Sequence, residues 1–147
     1  KWPNDLWVAD RKLGGILIEA ATAGGRSQVV IGIGINIRPR PAEGLSTPPA
    51  ALTDLWPQAT AGAALLRLMP TLVRTLKDFE QQGFAPLQAR FEVRDVLRGR
   101  EVHTSDGLRG QALGVGPTGA LRLLQAQGER LIDSSEVSVR PTPPDTP

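Results

Sequence analysis

The sequence predicts an α+β protein built in two parts of different texture. Three observations carry this reading. Glycine-punctuated apolar runs between residues 5 and 37 have the alternation of strands, residues 59–94 carry apolar side chains at helical spacing, and five short β-like runs separated by glycine-bearing turns fill the chain from residue 100. The change of texture near Asp95 sets the expected boundary: residues 1–95 form the first domain, 96–140 a small barrel of short strands, and 141–147 a proline-rich disordered tail.

Lys1-Trp2-Pro3-Asn4-Asp5-Leu6 reads as a strand end running into a tight turn. Pro3 fixes its own φ and turns Trp2 away from the helical region, while Asn4 and Asp5 accept turn conformations. Arg11-Lys12-Leu13-Gly14-Gly15 then leads into Ile16-Leu17-Ile18, giving a hairpin whose returning strand brings Lys12 towards Asp5. Small residues from Ala20 to Arg26 make the next turn. In the strand that follows, Val29, Ile31, Ile33, Ile35 and Ile37 fall on one face, expected to be core, and Val30, Gly32, Gly34 and Asn36 on the other. Two successive glycines on one face leave the backbone bare for a close approach, either by a ligand or by a helix packed over them.

Pro39, Pro41, Pro48 and Pro49 prevent regular pairing, so residues 38–57 are expected to form a long surface loop. Leu65, Leu68, Leu72, Leu76 and Phe79 mark a core-facing helix over residues 59–82 that stops at Gly83, and Pro70 is expected to divide it into a short piece and a main helix. Pro86 starts a short helix through Arg94, with Leu87 and Phe91 turned inward. The expected barrel strands are 101–104, 108–115, 120–125, 129–133 and 137–140.

Bulk properties exclude several classes. At 147 residues and 40% hydrophobic content the chain suits an ordinary globular protein, and it has no apolar run long enough to span a membrane. No cysteine is present, which removes disulfides and thiolate metal sites and agrees with a cytoplasmic setting. The net charge is only +2 and the arginines are scattered among acids, without the dense cationic stripe of a nucleic-acid binder. His103, the sole histidine, reads as a surface residue of the barrel rather than a catalyst.

The chemistry concentrates in the opening hairpin. The chain holds 14 Arg but three Lys, and two of those, Lys1 and Lys12, sit within its first twelve residues, where a compact ammonium suits a carboxylate or phosphate oxygen in a tight space. A Lys pair, Asp5 and Asn4 beside a glycine-faced strand ending in Asn36 suit an anionic substrate in which charge accumulates, with Asp5 and Asn36 able to offer oxygens to magnesium. There is no Walker loop, no Ser or Cys nucleophile with a His partner and no dinucleotide fingerprint, so positioning and electrostatics are the expected means of catalysis.

Lys1-Trp2-Pro3-Asn4-Asp5-Leu6, Arg11-Lys12-Leu13-Gly14-Gly15-Ile16-Leu17-Ile18-Glu19 and Gly32-Ile33-Gly34-Ile35-Asn36-Ile37 resemble, in order and spacing, the central blocks of the biotin protein ligases. The likeness continues more loosely through Phe79 to Gly83 and into Gly116 to Leu121. It implies a mixed sheet flanked by helices, the C-terminal part of a class II synthetase-like ligase core, followed by an SH3-like barrel. It also implies ATP-dependent formation of biotinyl-5′-AMP with magnesium, then transfer of biotin to a lysine of the biotin carboxyl carrier protein of acetyl-CoA carboxylase. By position, Lys1, Asp5 and Lys12 are the implied catalytic residues; Lys1, Asn4, Lys12, Gly14, Gly15, Gly32, Gly34 and Asn36 the implied biotin and ATP contacts; and Asp5 and Asn36 the implied magnesium ligands. Some members form homodimers through the sheet. The family's biotin-binding loop lies upstream of the block at which this chain starts, so the 147 residues alone are expected not to make biotinyl-AMP. Two other readings compete: a lipoate ligase with the same acyl-adenylate logic, and a basic non-enzymatic module whose barrel contacts nucleic acid.

Overall fold

The computed structural model describes residues 1–133 and 139–142, and the chain divides into two compact units, one of Asn4–Leu68 and one of Lys1–Pro3 with Met69–Pro147. In the first unit, β1 (Asp5–Val8), β2 (Arg11–Ala23) and β3 (Arg26–Ile35) form a sheet in the order β1-β2-β3. Both pairings are antiparallel, where a mixed sheet was expected; the parallel contact among the described residues is the isolated bridge between Lys12 and Pro49. The turn also precedes the first strand rather than following it: residues 2–4 are the turn, the Trp2–Pro3 peptide is cis, and the chain extends from Asp5.

Each hairpin turn has a local cause. Ala9 and Asp10, with φ of 48° and 57°, join β1 to β2 through two left-handed residues, the geometry that matches strand twist in a two-residue loop. Gly24 and Gly25, with φ of 59° and 74°, do the same between β2 and β3, where glycine takes that conformation without strain. Neither face of β3 is core as expected. Val29 is 54% and Val30 66% exposed, and Ile31, Ile33 and Ile35 are half-buried.

The proline-rich segment after β3 is irregular, as expected, yet it is stitched down. Ala50, Ala51 and Ala59 are buried, and Leu52–Asp54 makes a 3-10 turn whose Leu52 and Thr53 amides donate to the carbonyls of Asn36 and Ile37. Helix α1 (Ala61–Gln82) begins at Thr60, whose Oγ1 accepts the Ala63 amide at 3.2 Å, and ends at Gly83, with φ of 68° and its amide on the Phe79 carbonyl. Pro70 lies inside α1 without dividing it: proline removes one i→i−4 bond, and the turns on either side carry the helix past that gap. The apolar stripe of α1 is not fully buried either: Leu65 is 57% and Phe79 48% exposed, and Leu68 and Leu72 are half-buried.

In the other unit a 3-10 turn (Ala85–Leu87) and α2 (Gln88–Glu92) precede β4 (Glu101–Thr104), β5 (Arg109–Val115), β6 (Leu121–Gln125), β7 (Gly128–Ile132) and β8 (Val139–Pro141). All five expected strands form, in one antiparallel sheet of order β7-β6-β5-β4-β8. Among the described residues no pairing joins β7 to β8, so the sheet is not a closed barrel. Pro141, expected in the tail, pairs with Val102 as part of β8; the rest of the tail, 143–147, lies outside the described residues, as do 137 and 138 of the last expected strand. Leu97, Val102, Ala112, Val115, Leu121, Leu123, Ile132 and Val139 make the core, with Phe84, Phe91, Val96 and Leu108 at its edge. Trp2 is the unexpected member. It is 3% exposed in this core, and its indole N–H donates to the Gly119 carbonyl at 2.9 Å. No described helix is long and apolar enough to cross a membrane.

Candidate functional site

The β1–β2 hairpin brings Asp5 and Lys12 together, with Nζ 2.7 Å from Oδ1. Alternation alone would not do this. Asp5 pairs with Gly15, and Lys12 lies three residues before Gly15, so in a regular strand its side chain would point to the opposite face. The register shift between Leu6 and Trp7 leaves Leu13 as an extra residue in β2, and this bulge turns Lys12 onto the face shared by Asp5 and Gly15. A side chain at Gly15 would meet Lys12 Nζ at 3.5 Å and Asp5 Oδ1 at 3.6 Å, so the bare Cα leaves the ion pair accessible.

This ion pair stands in a depression of about 480 Å³ lined by Asn4, Asp5, Lys12, Gly15, Ile16, Leu17, Gly32, Ile33 and Gly34. Six residues expected at the site are thus brought together. Asn4 is fixed to β2 twice, its Nδ2 donating to the Ile16 carbonyl at 2.9 Å and its own carbonyl accepting the Ile16 amide at 2.8 Å. Gly32 and Gly34 are exposed, and the atoms nearest to an added Cβ are the Leu17 carbonyl oxygen at 3.7 Å and the Gly15 carbonyl oxygen at 3.9 Å. Protein packing therefore does not require glycine at either position, and no described helix covers them. Gly14 differs, since its Cβ would fall on the carbonyl oxygen of Gly34. Its smallness serves the close approach of β2 to β3.

Lys1, Gly14 and Asn36 do not line the depression. Lys1 belongs to the unit of Lys1–Pro3 and Met69–Pro147, and its Nζ donates to the Trp2 carbonyl at 3.1 Å. Asn36 Nδ2 donates to the carbonyls of Lys12, at 3.1 Å, and Ala50, at 3.2 Å. Of the expected magnesium pair, Asp5 lines the depression and Asn36 does not. The Asp5 carboxylate is already engaged by an ammonium, the Asn36 amide holds backbone, and no group of three or more His, Cys, Asp or Glu side chains among the described residues could hold a metal. Sequence reasoning also missed Arg11 and Asp54, paired at 3.0 Å, and the Arg67 guanidinium 5.5 Å from the centroid of the Trp56 ring; neither spacing carries a recognisable signal.

Comparison with known proteins bears on the fold and the family likeness. Residues 1–36, which contain the hairpin and the glycine strand, match the Biotin/lipoate A/B protein ligase family. The Escherichia coli bifunctional ligase/repressor BirA is 39% identical over 135 residues, covering 85% of this chain and 41% of that protein. The Paracoccus denitrificans biotin--[acetyl-CoA-carboxylase] ligase is 30% identical over 146 residues, covering 93% of this chain and 61% of its own length. A crystal structure of the Aquifex aeolicus biotin protein ligase superposes with a TM-score of 0.83 at 25% identity, covering 96% of this chain and 64% of that one; the same ligase has been solved in complex with biotin and ATP. The likeness is thus to biotin and lipoate protein ligases, in sequence over residues 1–36 and in fold over most of the chain. Its relatives narrow the likeness further: the chain is similar to biotin protein ligases over 85% and 93% of its length, and it spans from about two fifths to three fifths of the two curated relatives named here.

Proposed function

We propose that these residues form part of a biotin protein ligase that joins biotin to AMP using ATP and then passes the biotinyl group to a lysine of a carrier protein. The observation that carries the reading is the Lys12–Asp5 pair in a depression floored by two glycines that no packing contact demands. In the first step a biotin carboxylate oxygen attacks the α-phosphorus of ATP, and the bond to the departing pyrophosphate breaks. In the second, the carrier lysine amine attacks the acyl carbon and AMP leaves. Both steps concentrate negative charge on oxygens, and an ammonium already oriented by a carboxylate offsets that charge with little reorganisation.

In this reading Lys12 contacts the biotin carboxylate and the acyl phosphate, and Asp5 holds the Lys12 ammonium in place. Gly15, Gly32 and Gly34 leave room for substrate, and Asn4 fixes the corner. The carrier is the biotin carboxyl carrier protein of acetyl-CoA carboxylase, in keeping with the name of the Paracoccus relative. The five-stranded sheet corresponds to the family's SH3-like barrel, residues 1–95 to the ligase core, and the setting is cytoplasmic. Exposed Leu17, Ile18, Val29 and Val30 on the β2–β3 hairpin support self-association through this sheet.

The test is Lys12→Ala in a ligase chain of the relatives' full length, followed by biotin-dependent pyrophosphate release. Removing one preorganised charge from such a site costs on the order of 10²-fold in turnover. Undiminished turnover removes Lys12 from the site.

A further inference from the structure

We infer that Asn36 is a positioning residue for Lys12, acting through the Lys12 backbone rather than by touching substrate or metal; the inference rests on the role proposed above for Lys12. The backbone of Lys12 is held on both sides. Its amide donates to the Pro48 carbonyl at 2.8 Å, and its carbonyl accepts the Ala50 amide at 2.9 Å and Asn36 Nδ2 at 3.1 Å. The same Nδ2 reaches the Ala50 carbonyl at 3.2 Å, so one carboxamide ties together the site strand and the loop that brackets it. The backbone of Asn36 closes the arrangement: its amide donates to the Leu13 carbonyl at 2.8 Å and its carbonyl accepts the Leu52 amide at 2.7 Å.

The clamp acts where it is needed. Leu13 is the extra residue of the bulge that turns Lys12 onto the Asp5 face, and a bulge interrupts the ladder that would otherwise fix its neighbours. Asn36 and residues 48–52 replace the missing ladder bonds. A side chain able to donate two hydrogens from one nitrogen is required, because both acceptors are carbonyl oxygens; Asp, similar in shape, offers only acceptors when ionised. Ala50 and Ala51, both buried, seat the loop closely enough for the bonds to form.

The experiment uses Asn36→Asp in the full-length ligase, with Asn36→Ala as a second variant that removes the donors without adding charge. Hydrogen exchange at the Ala50 and Leu52 amides is expected to rise at least tenfold in either variant, and biotin-dependent turnover to fall about tenfold. In a Lys12→Ala background the same substitution is expected to change turnover by less than twofold, since its effect passes through Lys12. The magnesium titration midpoint is expected to stay unchanged. Unaltered exchange, a full tenfold additional loss in the Lys12→Ala background, or a lowered magnesium requirement in Asn36→Asp would each overturn the inference, the last by identifying a metal ligand. Exchange is read without turnover, so a failure of the Lys12 assignment, seen as normal activity of Lys12→Ala, is distinguishable from a failure of the clamp. Should Asn36→Asp not fold, the Asn36→Ala exchange and turnover measurements decide alone.

Discussion

Trp2→Ala should disrupt a unit whose strands begin a hundred residues later in sequence. Trp2 is 3% exposed within the core formed by Leu97, Val102, Leu121, Leu123 and their neighbours. Truncating a buried Trp to Ala costs about 3–5 kcal/mol through lost transfer energy and the cavity left behind. The indole N–H is also the donor to the Gly119 carbonyl, and losing that bond adds about 1 kcal/mol. The sum, roughly 4–6 kcal/mol, approaches the whole stability of many domains, about 5–15 kcal/mol. Trp2→Phe keeps most of the ring and drops the donor, so a loss of about 1–2 kcal/mol follows. The assay is denaturant unfolding together with hydrogen exchange at the Val102, Leu121 and Leu123 amides, which should lose protection in parallel. Trp56→Ala is the comparison, because the half-buried Trp56 packs in the other unit under Arg67 and its removal should leave those amides protected. A Trp2→Ala cost below about 1 kcal/mol, within the range of ordinary surface substitutions, would refute the placement of Trp2 in this core.

Two further substitutions separate folding from site chemistry. Gly32→Ala and Gly34→Ala add a methyl with no protein atom closer than 3.7 Å, so stability should hold or rise by up to about 1 kcal/mol, while biotin-dependent turnover falls at least tenfold as the methyl fills the depression. Gly14→Ala should instead unfold the hairpin, its Cβ meeting the Gly34 carbonyl; equal stability of the three variants would undo the distinction. Ala9→Gly should stabilise the β1–β2 turn by about 1 kcal/mol, because Ala9 holds φ at 48° where a Cβ is penalised, and a thermal unfolding midpoint that falls would contradict this.

How much of this was legible in the sequence differs by level. The five short strands of the C-terminal sheet were legible because turn chemistry such as Ser105-Asp106-Gly107 and Gly116-Pro117-Thr118-Gly119 brackets each one, and turns are local. The Asp5–Lys12 encounter was legible as a hairpin, but the bulge that makes it geometrically sound was not, since no residue type at Leu13 announces it. Periodicity located the apolar face of α1 and overstated its burial: spacing decides which face is apolar, and a packing partner decides whether it is covered. Pro70 was misread for a related reason, because a single lost backbone bond is a local cost that a 22-residue helix can absorb. Trp2 was invisible as a core residue, the hydrogen-bond partner of its indole lying 117 positions away.

The glycines sort the site from its scaffold more sharply than the charged residues do. Charges can be solvated, and a partly exposed ion pair such as Lys12–Asp5 contributes modestly to stability. A glycine in a strand carries a conformational cost with no side chain to offset it, so each one requires a reason. Gly14 has its reason within the protein, the carbonyl of Gly34. Gly24 and Gly25 have theirs in positive φ. Gly32 and Gly34 have neither, for their φ is ordinary for a strand and the space above them holds no protein atom within van der Waals contact shorter than 3.7 Å. Under the function proposed above, their reason is a substrate lying against the backbone with its charged end at Lys12, which the Gly32→Ala and Gly34→Ala turnover measurements test.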